Sequence, residues 1–304
     1  VKLYQQTRRG MKMNTLLRRS VLRAGLAAMI ALTGLAAPSS TMADDAISER
    51  LSSGTVTIGI HNRAPWGFRN ADGEAIGYHP DLVRTAFEKL GVSNIEFVIS
   101  EFGALIPGLN ANRFDMIASG IAITPARCKE VIFSEPDLSV GDGLLVKEGN
   151  PKNLHSYADF ASNPDLRLAG GRGTLNSKNA MDAGVPKDQM LLLQDTNALV
   201  SALLAGRADA ATLSAPSVVS FLQDPNVKGL ERAVPFTGKV VDGRPAALYT
   251  AIAFRKADTT LRDAYNAELK KLMNDGTVDE IMKRYGFTDA EKAPNLQTQA
   301  ICSE

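Results

Sequence analysis

Strand-like and helix-like patterns alternate along this chain, and the alternation is split by two apolar strands in a way that predicts two half-molecules. Thr55–Ile60 (TVTIGI) reads as a buried strand, and residues 80–90 as an amphipathic helix with Leu82, Val83, Ala86, Phe87 and Leu90 on one side. Residues 95–99 read as strand, 104–110 as a short helix and 116–118 as strand. A second set follows Gly149-Asn150-Pro151, with helices at 157–161, 176–183, 197–205 and 216–222 and strands at 167–169, 190–193 and 208–212. Apolar strands at 143–146 and 247–254 bracket that set, and helices at 260–273 and 278–285 follow. The pattern is α/β. If both bracketing strands cross between halves, residues 44–146 with 247–304 form one lobe and 147–246 an inserted second lobe. A two-strand hinge and a cleft between the lobes follow from that topology, because ligands in open α/β sheets gather beyond the carboxyl ends of the strands.

Residues 1–43 carry seven Lys or Arg and no Asp or Glu, then a 14-residue apolar run from Ala24 to Ala37 and a small-residue site at Thr41-Met42-Ala43. This reads as an export signal. The apolar run is shorter than the ~20 residues that span a bilayer. Arg18-Arg19 suits a twin-arginine signal, although Leu17 departs from it, and a Sec signal fits equally. The expected location is the periplasm. Without those 43 residues, 27 basic side chains face 33 acidic ones, a net of −6, so a nucleic-acid partner is not expected. Cys128 and Cys302 are the only cysteines. In an exported chain they are expected to pair, two separate buried thiols being the alternative.

The stretch from Phe102 to Cys128, FGALIPGLNANRFDMIASGIAITPARC, ends in a Thr-Pro-x-Arg turn. Pro125 suits the first position of a helix and Thr124 its cap, so Arg127 would stand beside free backbone N–H groups. A guanidinium fork with a helix start makes a carboxylate receptor, and a surface ion pair is the plainer use of the same arginine. His61, His79 and His155 lack metal-ligand spacing. Gly170-Gly171-Arg172-Gly173-Thr174 lacks the lysine of a phosphate loop, and there is no GxSxG elbow. No cofactor is expected.

The leader, GYHPDLVRTAFEKLG from Gly77, RFDMIASGIAITPARC, Phe133-Ser134-Glu135-Pro136 and Gly206-Arg207-Ala208-Asp209-Ala210 together resemble the family 3 solute-binding proteins of ABC importers. The resemblance runs from about Gly54 to Phe287. The 102–128 block, with Asn150-Pro151 and Leu154-His155-Ser156-Tyr157, is most similar to the ectoine and hydroxyectoine branch. It implies a type II periplasmic binding protein fold and a monomeric receptor that delivers a small carboxylate-bearing solute to an inner-membrane permease. Arg127 then matches the family's carboxylate clamp. Thr124, Ser119, Gly120 and Ala122 match positions lining that half of the site, and Thr174 matches a contact from the second lobe. Trp66 and Phe102 match aromatic ring contacts of the ectoine branch.

Three departures qualify the resemblance. Ser214 stands where amino-acid binders of the family commonly carry the aspartate that holds an α-ammonium, which argues against an ordinary α-amino acid. Ala122 replaces a third aromatic, and Arg63 stands where the ectoine branch tends to be acidic. The expected pocket is therefore roomier and more positive than an ectoine site. An enzyme similar to cyclohexadienyl dehydratase is the alternative, with Glu101 as its one candidate acid or base, and a ligand-sensing subunit for a sensor kinase is another.

Overall fold

The computed structural model describes residues 55–92 and 94–303; the leader read at 1–43 lies outside the described residues. Two sheets carry the structure. In the first, the order is Asn94–Ile99, Thr55–Ile60, Met116–Ala122, Leu248–Phe254 and Ile132–Phe133, with Leu138–Val140 also paired to Leu248–Phe254. Its first three strands are parallel, and Leu248–Phe254 enters antiparallel. The second sheet repeats the plan. Met190–Leu193, Leu168–Gly171 and Ala210–Ser214 are parallel, and Asp142–Lys147 lies antiparallel between Ala210–Ser214 and Leu230–Arg232. In each sheet the strand that crosses from the other half is the antiparallel one.

The periodicity explains how the sheets are covered. The helix Tyr78–Lys89 buries Leu82, Val83, Ala86 and Phe87, the i, i+1, i+4, i+5 stripe read from the sequence, against Ile58, Met116 and Phe254 of the first sheet. Tyr265 and Leu269 of Thr259–Asn274 join the same core. On the opposite face, Leu105, Leu109, Phe114, Ile117 and Ile121 form a second cluster. The second sheet has its own cores, one around Tyr157, Phe160 and Leu168, the other around Leu199, Leu203 and Val218.

Several elements differ from the pattern reading. The strand expected at 116–118 runs on to Ala122 through Ser119 and Gly120. The strand expected at 208–212 is Ala210–Ser214, because Ala208 and Asp209 still belong to the turn after the preceding helix, with Ala208 N–H on Ala202 O at 3.3 Å. The tail, without a pattern of its own, forms the helix Thr298–Cys302. Burial of Ile301 and a disulfide hold it there: Cys302 is bonded to Cys128, 174 residues away in sequence. Among the described residues no helix is long and apolar enough to cross a membrane.

Closing so long a loop removes entropy from the unfolded chain, about 4 to 5 kcal/mol in the chain-entropy account. The Cys128→Ser/Cys302→Ser double variant should lose stability of that order in guanidinium unfolding. An unchanged midpoint would show that the bridge adds nothing to packing around Ile301.

Candidate functional site

All the parallel strands of both sheets end at one cleft. From the first sheet, Thr55–Ile60 delivers His61, Arg63 and Trp66, Asn94–Ile99 delivers Phe102, and Met116–Ala122 leads into Arg127. From the second, Leu168–Gly171 leads to Thr174, Met190–Leu193 to Asp195 and Ala210–Ser214 to Ser217. Two adjoining, narrow chambers result. Trp66, Gly120, Ala122, Arg127 and Ser214 line one of them. His61, Arg172, Gln194, Asp195 and Thr212 line the other. Arg63, Phe102, Thr174 and Asn176 belong to both.

Arg127 sits on the helix Pro125–Cys128, which starts as the Thr-Pro pair predicts: Pro125 is its first residue, and Thr124 Oγ1 accepts the Arg127 N–H at 3.2 Å. The guanidinium donates to Ala122 O at 2.7 Å and across the cleft to Gly173 O at 2.9 Å. Among the described residues no carboxylate pairs with it in a salt bridge. Burial draws its pKa down to about 10, against the opposing pull of Glu130, so it is charged at neutral pH.

Arg63 is held in a tight turn, with its N–H on Gly67 O at 2.9 Å and its carbonyl accepting from Trp66 and Gly67. The residue is 7% exposed, and its buried Nε has no hydrogen-bond partner among the described residues. Burial and the nearby Arg127 lower this guanidinium also to about 10. The two arginines lie over one ring: Cζ of Arg63 is 5.4 Å and Cζ of Arg127 5.5 Å from the Phe102 centroid.

Trp66 is 1% exposed, and its indole N–H reaches across the cleft to Ser214 Oγ at 3.2 Å and Ser217 Oγ at 3.0 Å. Its ring fits because residue 120 is glycine: at φ +61° a Cβ there would stand 2.7 Å from Trp66 Cγ. A buried polar chain fixes that glycine. Gly120 N–H donates to His79 Nδ1 at 2.6 Å, which leaves the ring proton on Nε2 to donate to Asp137 at 3.0 Å. Thr250 Oγ1 donates to the other Asp137 oxygen at 2.5 Å.

The structure brings Arg63, Trp66, Phe102, Gly120, Ala122, Arg127, Thr174 and Ser214 to the chamber walls. It places Ser119 and Thr124 behind them. Ser119 Oγ accepts the His61 N–H at 2.7 Å, and Thr124 caps its helix. Thr174 likewise caps Leu175–Asp182, while its hydroxyl donates to Gly171 O at 2.9 Å. Glu101 is exposed and lines neither chamber. The sequence reading missed Asn176. Asn176 Nδ2 donates to Asp142 at 2.7 Å, and burial pushes the Asp142 carboxyl up against the opposing hydrogen bonds of Asn176, Asn179 and Tyr157. The only available signal for Asn176 was its place two residues after Thr174.

The architecture is two-lobed, and both sheets present their carboxyl ends to one cleft. The chain belongs to the bacterial extracellular solute-binding proteins, family 3, which residues 56–288 match. A probable amino-acid ABC transporter periplasmic-binding protein of Sinorhizobium fredii is 36% identical over 84% of this chain and 86% of its own length. The histidine-binding periplasmic protein of Salmonella typhimurium is 29% identical over 83% of this chain and 93% of its own. Among solved structures, EhuB in complex with hydroxyectoine superposes with TM-score 0.77 at 34% identity, over 85% of this chain and 98% of that one. The ancestral amino-acid-binding protein AncCDT-1, a precursor of cyclohexadienyl dehydratase, does so at 0.69 and 27%, over 79% and 99%. The fold is therefore that of type II periplasmic binding proteins. The chain is an extracytoplasmic solute-binding protein of an ABC importer, so a small ligand and an inner-membrane permease are its partners.

His61 gives the site a pH signature. Burial and Arg63 lower its pKa to about 4, against the opposing pulls of Ser100 O and Asp195. Above the unfolded value near 6.5 the group is neutral in both states and contributes nothing to pH dependence. As pH falls from there toward 4 the unfolded chain takes the proton first, so stability is lost, at most about 3 kcal/mol. Denaturant unfolding at pH 7 and pH 4 should show a smaller drop in His61→Gln than in the parent. Equal drops would contradict the assignment.

Proposed function

We propose that this receptor binds a small carboxylate-bearing solute, ectoine- or hydroxyectoine-like or derived from an amino acid, and carries it as a monomer through the periplasm to its permease. The observation that carries this reading is the Arg127 guanidinium: it sits between the two sheets, bonded to one carbonyl from each half and to no carboxylate among the described residues. A ligand carboxylate can take both N–H groups of the fork and draw the halves together. The EhuB complex supports a hydroxyectoine-like solute, and the Sinorhizobium relative's name supports an amino-acid-derived one. Ser214 favours the former over an ordinary α-amino acid, because the hydroxyl supplies no charge for an α-ammonium and is engaged with Trp66.

The lobes in this reading divide at Gly141 and again near Ala246, rather than at 146/147, since Asp142–Lys147 pairs into the second sheet. Rotation at those two crossings would open the cleft by breaking the contacts of Arg127 with Gly173 and of Trp66 with the two serines. Binding without chemistry is favoured over a dehydratase. Glu101 is outside both chambers, and the exposed Asp195 at the rim already accepts the Ala198 N–H at 2.8 Å.

A thermal-shift screen against ectoine, hydroxyectoine, betaines, amino acids and dicarboxylates tests the reading. A true ligand at a hundredfold excess over its Kd should add about 2.7 kcal/mol to stability. Arg127→Ala should weaken that ligand roughly a hundredfold or more, about 3 kcal/mol, through loss of a charged bidentate contact. Unchanged affinity in this variant would remove the carboxylate clamp from the account.

A further inference from the structure

We propose that the solute is a dianion, one carboxylate seated on Arg127 and a second anionic group on Arg63. This rests on the carboxylate reading above and specifies it.

Arg63 is the observation that drives the inference. It is 93% buried by its 7% exposure, it lines both chambers, and its Nε is without a partner among the described residues. None of the ion pairs between described residues includes it, and its side-chain interaction is with the face of Phe102. A buried guanidinium loses most of its hydration, and a neighbouring aromatic face returns only part of it. Arg127, over the same ring, adds a like charge and shares the deficit. Two cations in one cleft, neither in an ion pair with another described residue, are balanced by a ligand that brings two negative charges.

The shape of the cleft agrees. Phe102, Thr174 and Asn176 form a waist between the two chambers. Arg127 lines the chamber with Gly120 and Ala122, and Arg63 lines that chamber and the other. Both guanidinium carbons lie within 5.5 Å of one ring centroid, so a single small molecule can meet both. Asp195 is the one carboxylate among the lining residues. It is exposed at the rim and caps the helix Thr196–Leu204, where solvent screens its repulsion. The cationic side chain at position 63 suits an acidic ligand better than a ring with a delocalised positive charge.

The test is calorimetric titration of the purified protein with succinate, glutarate and adipate, each beside its terminal half-amide, and with ectoine. At least one diacid should bind tenfold or more tightly than its half-amide, and more tightly than ectoine. Arg63→Gln should erase the acid-over-amide preference while the half-amide still binds, and Arg63→Lys should keep part of it. Matched circular dichroism spectra and melting points would show that the variants fold. Arg127→Ala should lose both acid and amide. The dianion inference is overturned if no diacid binds, if acid and amide bind alike, or if Arg63→Gln keeps the preference. Full binding in Arg127→Ala would instead overturn the carboxylate reading beneath it.

Discussion

Everything in the cleft depends on contacts made across it. Arg127 to Gly173 and Trp66 to Ser214 and Ser217 are the hydrogen bonds that join groups of the first sheet to groups of the second at the ligand chambers. They exist because the parallel strands of both sheets run toward the same gap, and because one antiparallel strand in each sheet carries the chain between halves. The buried clusters behind the two sheets share no residue, and half-buried Leu175 is the second-half side chain that packs against the first, so closing the cleft leaves the cores intact. A receptor needs that division: rigid halves whose packing is complete, and a gap whose polar groups are incomplete without a ligand.

The groups with donors to spare at the chambers are the two arginines. Arg127 gives two of its five donors to backbone carbonyls, and the buried Nε of Arg63 has no partner among the described residues. By contrast the neutral groups around them are fully committed. His79 is tied between Gly120 and Asp137, and Tyr157 shares a 2.6 Å contact with Thr212. Those buried chains hold the walls still, so a ligand's binding energy goes into the arginines and into closure.

Long periodic elements were legible in the sequence because burial on one face leaves a stripe, as in Leu82, Val83, Ala86 and Phe87. The second half of Met116–Ala122 was not, since Ser119 and Gly120 break the apolar run. The structure shows why they are there: Ser119 anchors the His61 backbone, and Gly120 makes room for Trp66. Thr298–Cys302 was illegible for a different reason, as a disulfide and one buried isoleucine impose a helix that local pattern does not announce. In the cleft, the turn around Arg127 could be read from Thr124 and Pro125 alone. The partnership of Trp66 with Ser214 could not, because 148 residues separate them and only tertiary folding puts the indole N–H against that hydroxyl.

The central claim, that ligand binding closes the cleft through these contacts, is tested most directly by the fluorescence of Trp66, the only tryptophan in the chain. During titration with a solute that raises the melting point, its emission should shift to the blue as the indole N–H leaves water for Ser214 and Ser217. An emission maximum that is the same in the free and the saturated protein would contradict closure at this contact.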